Sequence, residues 1–370
     1  MDNRQNRILN SIQILRGLAA LSVVLYHYGF YLVPVGGDVN SRPFSWGGIG
    51  VDLFFVISGF IMMVVTHNCG SGLNATKSFI INRLSRVLPV YYVILLFAFF
   101  TNGAMSTFHY EEKVQNLISA LTFIPYMHET APMYILSDGL FNVRWTLSYE
   151  LYFYAALSVC LLFRNKLIPL ALWFIAPIAI CFISLGSVIF STKGYKFDSI
   201  LIAFITNPII LEFGMGIITG LLYLRLSKKN HAPHFIITTT LVAVVLIGVS
   251  TKALTMYNLL SGFAFSLLVL ALSLSERFFN SQWIRFLVFL GNISFSLYLI
   301  HNPLASFMSK KIEKYVPNLM HSALGITIML LAAILAACVS HKYLETRLSR
   351  FIKSKFESRF LNNVASTKPL

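Results

Sequence analysis

The stretch LRGLAALSVVLYHY, residues 15–28, lies within an apolar run that begins at Ile12 and ends near Val33. The run is long enough to cross a bilayer as an α-helix and too long for a cleavable signal sequence. It nevertheless contains two ionisable side chains, Arg16 and His27. Placing one such group at the bilayer centre costs roughly 2.5–3.5 kcal/mol on insertion scales. Two of them in a single span therefore indicate a function.

The composition of the chain is that of a polytopic membrane protein. Of its 370 residues, 56% are hydrophobic and only 12% are charged, and the mean hydropathy is +0.72. Soluble domains carry about 25% charged residues. We therefore expect an all-α integral membrane bundle of about ten transmembrane helices. The predicted spans cover residues 12–33, 48–67, 86–102, 146–163, 167–190, 205–225, 234–250, 255–275, 286–308 and 320–344.

The net charge of +15 is explained mainly by membrane topology. If the amino terminus is cytoplasmic, the inside segments hold 19 Lys and Arg residues and the outside segments hold 9. Because positive residues accumulate in the cytoplasmic loops of membrane proteins, both termini are predicted to be cytoplasmic. We expect residues 1–350 to form one transmembrane domain and residues 351–370 to form a basic cytoplasmic tail.

Arg16 and His27 are predicted to share one face of the first helix. Eleven residues separate them, which is within about 20° of three full turns, and the helical rise places them about 16 Å apart along the axis. Arg16 lies near the cytoplasmic end of the span and His27 lies nearer the outer end. The two side chains thus form a stripe that reaches most of the way across the membrane.

Other predicted spans supply polar groups at both depths. Charged groups inside a membrane face the bundle interior and pair with one another. On the cytoplasmic side, Arg83 and Arg86 join Arg16 in a cationic patch that suits phosphate groups. The polar residues expected in the outer layer with His27 are Asp52, Glu150, His301 and Glu212, with Tyr149 beside Glu150.

Each of these residues also has a purely structural interpretation. A lone histidine such as His27 can form a hydrogen bond between helices, and Arg83 and Arg86 can serve only to set the topology. Asp52 can bond backbone or a neighbouring arginine, and Glu150 can belong to a satisfied network of tyrosines. The four cysteines stand singly, without metal-binding or redox spacing, so we expect neither a metal site nor thiol chemistry.

The predicted arrangement suits a relay between the two sides of the membrane. In one hypothesis the relayed group is a proton or ion, and the chain is a proton-coupled secondary transporter. In the other it is an acyl group, with the arginines binding the phosphates of coenzyme A. His27 then acts as general base towards a sugar hydroxyl or carries the acyl group itself, and Glu150 orients the imidazole or the acceptor. These residues alone leave both hypotheses open.

Five stretches resemble the acyltransferase type 3 family, and they occur in the family's order across essentially the whole chain. They are RGLAALSVVLYH (16–27), GVDLFFVISGFIM (50–62), RLSRVLPVYY (83–92), WTLSYELYFY (145–154) and GNISFSLYLIHNPL (291–304). By this resemblance the family's first-span arginine and histidine correspond to Arg16 and His27, its fourth-span glutamate to Glu150, its basic motif to Arg83 and Arg86, and its YLxH element to His301.

The resemblance implies ten transmembrane helices and transfer of an acetyl or related acyl group from cytoplasmic acyl-CoA. It implies extracytoplasmic or lipid-linked glycan acceptors, such as O-antigen, other exopolysaccharides or peptidoglycan. We expect a multi-pass O-acetyltransferase of the bacterial inner membrane that modifies a surface polysaccharide such as the O-antigen of lipopolysaccharide. Acetyl-CoA is then a substrate, with no permanently bound cofactor and no nucleic-acid partner. The expected roles are CoA binding for Arg16, Arg83 and Arg86, catalysis for His27 and Glu150, and support for Asp52, His301 and Tyr149.

Two features depart from the family pattern. Many members end their last span with Glu-x-Pro, whereas this chain reads YLETRL, and Arg347 in place of proline leaves the role of Glu345 open. Some relatives append an extracytoplasmic hydrolase-like domain, which we do not expect here, so transfer would finish within the membrane domain. The outer loop 103–144 is either part of the acceptor site or a folded cover. Its charged candidates are Glu111, Glu112, Glu129, Asp138 and Arg144.

Overall fold

The structure is a computed structural model that describes residues 9–33, 38, 42–137, 139–229, 235–279 and 281–356. Within these ranges the chain forms helices and turns and no β-strand, which confirms the all-α class. The helices are α1 (Asn10–Tyr28), α2 (Gly50–Thr66), α3 (Leu73–Ala98), α4 (Glu111–Thr122), α5 (Arg144–Cys160), α6 (Leu167–Leu185), α7 (Ile200–Ile205), α8 (Ile210–Leu226), α9 (Phe235–Ser250), α10 (Leu259–Leu274), α11 (Arg285–Ile312) and α12 (Ala323–Ser340).

Each of the ten predicted spans coincides with a helix. In the described part of the chain, six helical segments are both long and apolar enough to cross a membrane. Helices α9 and α10 are apolar but shorter, and α1 falls outside the six because its polar residues lower its hydropathy. The count of ten crossings and the orientation stay predictions. The six segments are Ser45–Thr66, Leu73–Gly103, Leu167–Leu185, Ile200–Leu226, Arg285–Ile312 and Ala323–Phe356.

Several boundaries differ from those predicted. The third span was expected from residue 86, but α3 begins at Leu73, so Arg83 and Arg86 lie within the helix. Its first turns are polar, and a search for apolar runs therefore misses them. The outer loop 103–144 contains α4 and ends where Arg144 begins α5. Residues 351–356 continue the last helical segment, and the remainder of the predicted tail lies outside the described residues.

Glycines bring the central helices into close contact. Helix α1 packs along α11, where a Cβ on Gly291 would lie 2.0 Å from the Gln13 carbonyl oxygen. Helix α2 packs along α8 in the same way, since a Cβ on Gly216 would lie 2.0 Å from the Val56 carbonyl oxygen. Small residues allow such backbone approach between membrane helices. These contacts fix α1 and α2, which carry the predicted site residues Arg16, His27 and Asp52, against the rest of the bundle.

The amino-terminal end of α1 is anchored by a carboxylate from another part of the chain. Glu276 accepts hydrogen bonds from the backbone N–H groups of Asn10, at 2.6 Å, and Ser11, at 3.1 Å. The Ser11 hydroxyl donates to the same carboxylate at 2.6 Å. These bonds satisfy N–H groups that have no partner within the helix and place negative charge at its positive end. Arg16 and His27 are thus carried by a helix that is held along its length and at its start.

The outer surface of the bundle is apolar. Large side chains on several helices are mostly exposed, including Ile183 at 82% and Ile236 at 74%. In water such a surface would drive aggregation. In a membrane it contacts lipid tails, which are as apolar as the side chains themselves. The exposed apolar faces therefore agree with a multi-pass membrane protein.

Candidate active site

The three predicted CoA-binding arginines come together on one side of the bundle. Arg16 projects from α1, and Arg83 and Arg86 project from one face of α3, three residues apart. Arg16 Nη1 donates to Gln13 Oε1 at 3.1 Å, and Arg86 Nη2 donates to Glu345 Oε1 at 3.4 Å. The Arg83 guanidinium lies over the ring of Phe79. The patch thus combines guanidinium groups from two helices, and each group has a neighbouring side chain that positions it.

Two adjoining cavities lie at this arginine patch. One, of about 440 Å³, is lined by all three arginines together with His341 and Glu345. The other, of about 120 Å³, is lined by the same arginines and extends between α2, α5 and α11. Because the arginines border both, the patch joins the larger cavity to the smaller, narrower one.

Glu150 lies in the narrower cavity. Its carboxylate accepts a hydrogen bond from the Tyr154 hydroxyl one turn further along α5, and it lines the same wall as Arg16 and Arg83. No hydrogen bond joins it to His27 in the described part of the chain. The predicted pairing of Glu150 with His27 is therefore not formed.

The reason is that α1 is shorter than its predicted span. It ends at Tyr28 and continues as a 3₁₀ turn, Gly29–Leu32, so His27 lies at the end of the helix. Glu150, by contrast, is about 9 Å inside α5, six residues after its first. Glu150 lines the narrower cavity with the arginines, whereas His27 lines neither of the two cavities.

The neighbour of His27 is His301. The centroids of the two imidazole rings are 5.2 Å apart. His301 is fully buried within α11, and the Tyr28 hydroxyl donates to its backbone carbonyl at 3.1 Å. The prediction placed both histidines in one outer layer, and the structure brings their rings into contact.

Tyr298 separates the narrower cavity from the two histidines. Its side chain lines the cavity, and its ring centroid is 6.0 Å from that of His301. Its hydroxyl lies 2.8 Å from Thr146 Oγ1 and donates to the Val143 carbonyl at 3.2 Å. One aromatic side chain, held at the start of α5, therefore lies between the arginine cavity and His301.

Asp52 and Glu212 form a separate acidic pair. Both carboxyl groups are fully buried and lie against each other between α2 and α8. Asp52 Oδ1 accepts from the backbone N–H of Asn258 at 3.1 Å, which caps the start of α10. Neither residue lines the two arginine cavities. Asp52 thus forms the hydrogen bond to backbone that its structural interpretation predicts.

Tyr149 and Arg144 hold the outer loop to α5. The Tyr149 hydroxyl donates to the Pro132 carbonyl at 3.1 Å. Arg144 is fully buried and donates to Asn116 Oδ1 at 2.5 Å and to the Leu140 carbonyl at 2.8 Å. Arg144 is therefore engaged within the fold and is not available to an acceptor. Of the other charged loop candidates, Glu111, Glu112 and Glu129 are exposed, and Asp138 lies outside the described residues.

Glu345 is a site residue whose role the sequence left open. It lies in a π-helical segment, His341–Leu348, a distortion common at functional sites. Its carboxylate accepts from Arg86, from the Ser296 hydroxyl at 3.2 Å and from His341 at 3.0 Å. The spacing of His341 and Glu345, four residues apart, is the one sequence signal that could have suggested this cluster.

Arg42 is a second residue that sequence reasoning missed. Its guanidinium lies over the rings of Tyr26, at 4.4 Å, and Phe30, at 4.1 Å. These aromatic residues flank His27, so a positive charge stands at the carboxyl-terminal end of α1. No pattern in the sequence links residue 42 to this turn, because the contact depends on how the following segment folds back.

Residues 9–339 match the family model described as an acyltransferase domain. The chain belongs to this acyltransferase family. The resemblance carried by its five motifs is thereby confirmed. Among the residues that the structure describes, no three His, Cys, Asp or Glu side chains lie close enough to hold a metal ion.

Several curated proteins are similar to this acyltransferase. The exopolysaccharide production protein ExoZ of Rhizobium meliloti is 28% identical over 281 residues, 74% of this chain and 81% of that protein. A candidate O-acetyltransferase of Staphylococcus aureus (strain COL) is 24% identical over 371 residues, and the match covers 58% of its length. The peptidoglycan O-acetyltransferase OatA of Listeria monocytogenes is 32% identical over 112 residues, 29% of this chain and 15% of that protein. No solved structure matches the chain.

Proposed function

We propose that this acyltransferase takes an acetyl group from cytoplasmic acetyl-CoA and transfers it to a hydroxyl group of a surface polysaccharide, such as O-antigen, in the bacterial inner membrane. The observation that carries the proposal is the arginine patch. Guanidinium groups from α1 and α3 border two joined cavities, and Tyr298, which lines the narrower one, lies against His301 of the histidine pair.

The donor end of the proposal follows from the chemistry of the patch. Coenzyme A carries several phosphate groups, and arginine binds phosphate through paired N–H donors. A long, thin pantetheine arm carries its thioester. With the phosphates at Arg16, Arg83 and Arg86, this arm enters the narrower cavity beside Glu150. The thioester then approaches Tyr298 and the histidines from the cytoplasmic side.

The acceptor end of the proposal is supported by the relatives and by the position of His27. Two of the similar proteins are named for exopolysaccharide production and for O-acetylation of peptidoglycan, which are carbohydrate-linked roles. His27 lies at the outer end of α1, on the same helix as Arg16. An imidazole there can act as general base towards a sugar hydroxyl or can carry the acyl group.

The donor site is tested with purified protein in liposomes and acetyl-CoA, by measuring release of free CoA thiol. We expect Arg86→Ala to raise the KM for acetyl-CoA by roughly tenfold, since a hydrogen bond to a charged group contributes about 1.5 kcal/mol or more. The matched control is Arg225→Ala, an exposed arginine at the end of α8 that lines neither cavity. An unchanged KM in Arg86→Ala would remove the arginine patch as the CoA site.

The same liposomes separate acyl transfer from proton-coupled transport, the alternative that the residues alone left open. The acyltransferase releases CoA and passes a labelled acetyl group to an acceptor without any pH gradient. A transporter moves solute in response to a pH gradient without acyl-CoA. Solute flux in the absence of CoA release would contradict the proposed function.

A further inference from the structure

His301 is held rigidly against His27. The rings belong to α11 and α1, the two helices that Gly17 and Gly291 bring into contact, and their centroids are 5.2 Å apart. His301 is fully buried, and the Tyr28 hydroxyl binds its backbone carbonyl. Both the main chain and the side chain of His301 are therefore fixed.

One hydrogen bond determines which nitrogen of His301 carries the proton. Nδ1 lies 3.1 Å from the Leu297 backbone carbonyl oxygen, and a carbonyl oxygen can only accept. In the neutral imidazole the proton is thus on Nδ1, and Nε2 keeps a free lone pair.

This lone pair is buried and has no hydrogen-bond partner among the described residues. An unpaired buried acceptor costs free energy, so it marks a place where a ligand can supply the missing donor. A hydroxyl group is such a donor.

We propose that His301 is the general base that accepts the proton of the acceptor hydroxyl through Nε2, while His27 carries the acyl group. This inference deepens the proposed function and rests on it. Once one ring nitrogen of His27 is acylated, the rest of that imidazole is a poor base. A second base is then required, and the free nitrogen of His301 belongs to the adjacent ring.

The two steps balance in atoms and electrons. First, a ring nitrogen of His27 attacks the thioester carbonyl carbon. The C–S bond breaks, the electron pair leaves with the CoA sulphur, and the ring proton of His27 goes to that thiolate. Second, the acceptor oxygen attacks the acyl carbon, its proton passes to His301 Nε2, and the C–N bond to His27 breaks with its electron pair returning to the ring. The proton on His301 then passes to the adjacent ring of His27, which had given its own proton to the thiolate, so both imidazoles end neutral.

The test compares two variants, His301→Ala and His27→Ala, in liposomes supplied with radiolabelled acetyl-CoA and no glycan. We expect His301→Ala to release up to one equivalent of CoA and to retain the label on the protein. Release of labelled acetate, with water as acceptor, falls by roughly 10²- to 10⁴-fold, the usual contribution of a general base. His27→Ala is expected neither to release CoA nor to become labelled.

A further readout separates a base from a merely structural residue. Added imidazole should restore part of the acetate release by His301→Ala, because it supplies a base to the space left by the side chain. The control is His321→Ala, a histidine that is 41% exposed and paired with Glu313, which should behave like the wild type. All variants are checked for wild-type thermal stability in detergent.

The outcomes distinguish the inference from the proposed function. If the wild type releases no CoA, the proposed function fails. If the wild type is active and His301→Ala releases acetate at the wild-type rate, only the role of His301 fails. That role also fails if a stable His301→Ala protein cannot be labelled at all, since the residue would then be needed before the acyl group is transferred to His27.

Discussion

The buried Arg144 side chain ties the outer segment to the start of α5. It donates to the Asn116 side chain at 2.5 Å and to the Leu140 carbonyl at 2.8 Å. Removing it leaves buried acceptors unpaired, each at a cost of about 1–3 kcal/mol. We therefore expect Arg144→Ala to lower the free energy of unfolding by roughly 3 kcal/mol.

The effect of Arg144→Ala is measured by denaturant titration of the detergent-solubilised protein. Proteolysis within residues 103–144 should accelerate in parallel, because the loop loses its anchor. Lys193→Ala, at an exposed position of another outer segment, is the control. A variant as stable as the wild type would show that the loop is held by other contacts.

Glu345 is expected to act through Arg86. Its carboxylate is 6% exposed, whereas the Arg86 side chain is 43% exposed and 3.4 Å away. A partly exposed pair contributes about 0.2–1 kcal/mol, so we predict that Glu345→Gln raises the KM for acetyl-CoA by up to roughly fivefold. The value of kcat should change little. KM is measured by CoA release as for Arg86→Ala.

A double variant separates the contribution of the Arg86–Glu345 pair from that of either residue alone. If Glu345 only positions Arg86, Arg86→Ala with Glu345→Gln should bind acetyl-CoA no more weakly than Arg86→Ala alone. Additive losses would show instead that Glu345 contacts the donor itself.

Among the helices, the α1–α11 pair is the contact on which the histidine geometry depends. A Cβ on Gly291 would lie 2.0 Å from the backbone of Gln13, and backbone cannot yield as a flexible side chain can. We expect Gly291→Ala to destabilise the fold by about 1–3 kcal/mol, as overpacking does. It should also lower the transfer rate, since the shift separates His27 on α1 from His301 on α11.

The thermal midpoint and the rate of CoA release measure the two effects of Gly291→Ala. Gly70→Ala is the matched control, because nothing lies within 4 Å of a Cβ at that position. Wild-type stability and rate in Gly291→Ala would contradict the close α1–α11 packing.

The sequence predicts elements better than it predicts their partners. Apolar length predicts a helix at each of the ten proposed spans, because a chain in lipid must satisfy its backbone within the helix itself. It does not locate the polar start of α3, the amphipathic α4 or the end of α1 at Tyr28. The end of α1 matters most for the site. The depth of His27 was counted from an assumed helix end at Val33, which placed His27 beside Glu150, whereas in the structure its ring lies beside that of His301.

For the molecule as a whole, the order of the motifs predicted the family. The residue types predicted the arginine patch, because charged side chains in a membrane protein face the interior of the bundle. The Arg86–Glu345–His341 cluster could not be predicted, since it joins α3 to a π-helical turn far along the chain. The same holds for Arg144, whose partners Asn116 and Leu140 lie in α4 and in the segment just before α5. Long-range side-chain pairing depends on helix rotation, which hydropathy does not specify.

The central claim is that an acetyl group enters at the arginine patch and leaves by way of His27. The most direct measurement supplies radiolabelled acetyl-CoA to the cytoplasmic side of inside-out membrane vesicles and follows label in glycan on the opposite side. The wild type and His321→Ala should label the glycan, and His27→Ala, although inserted and stable, should not. Labelling of the glycan by His27→Ala at the wild-type rate would contradict the account.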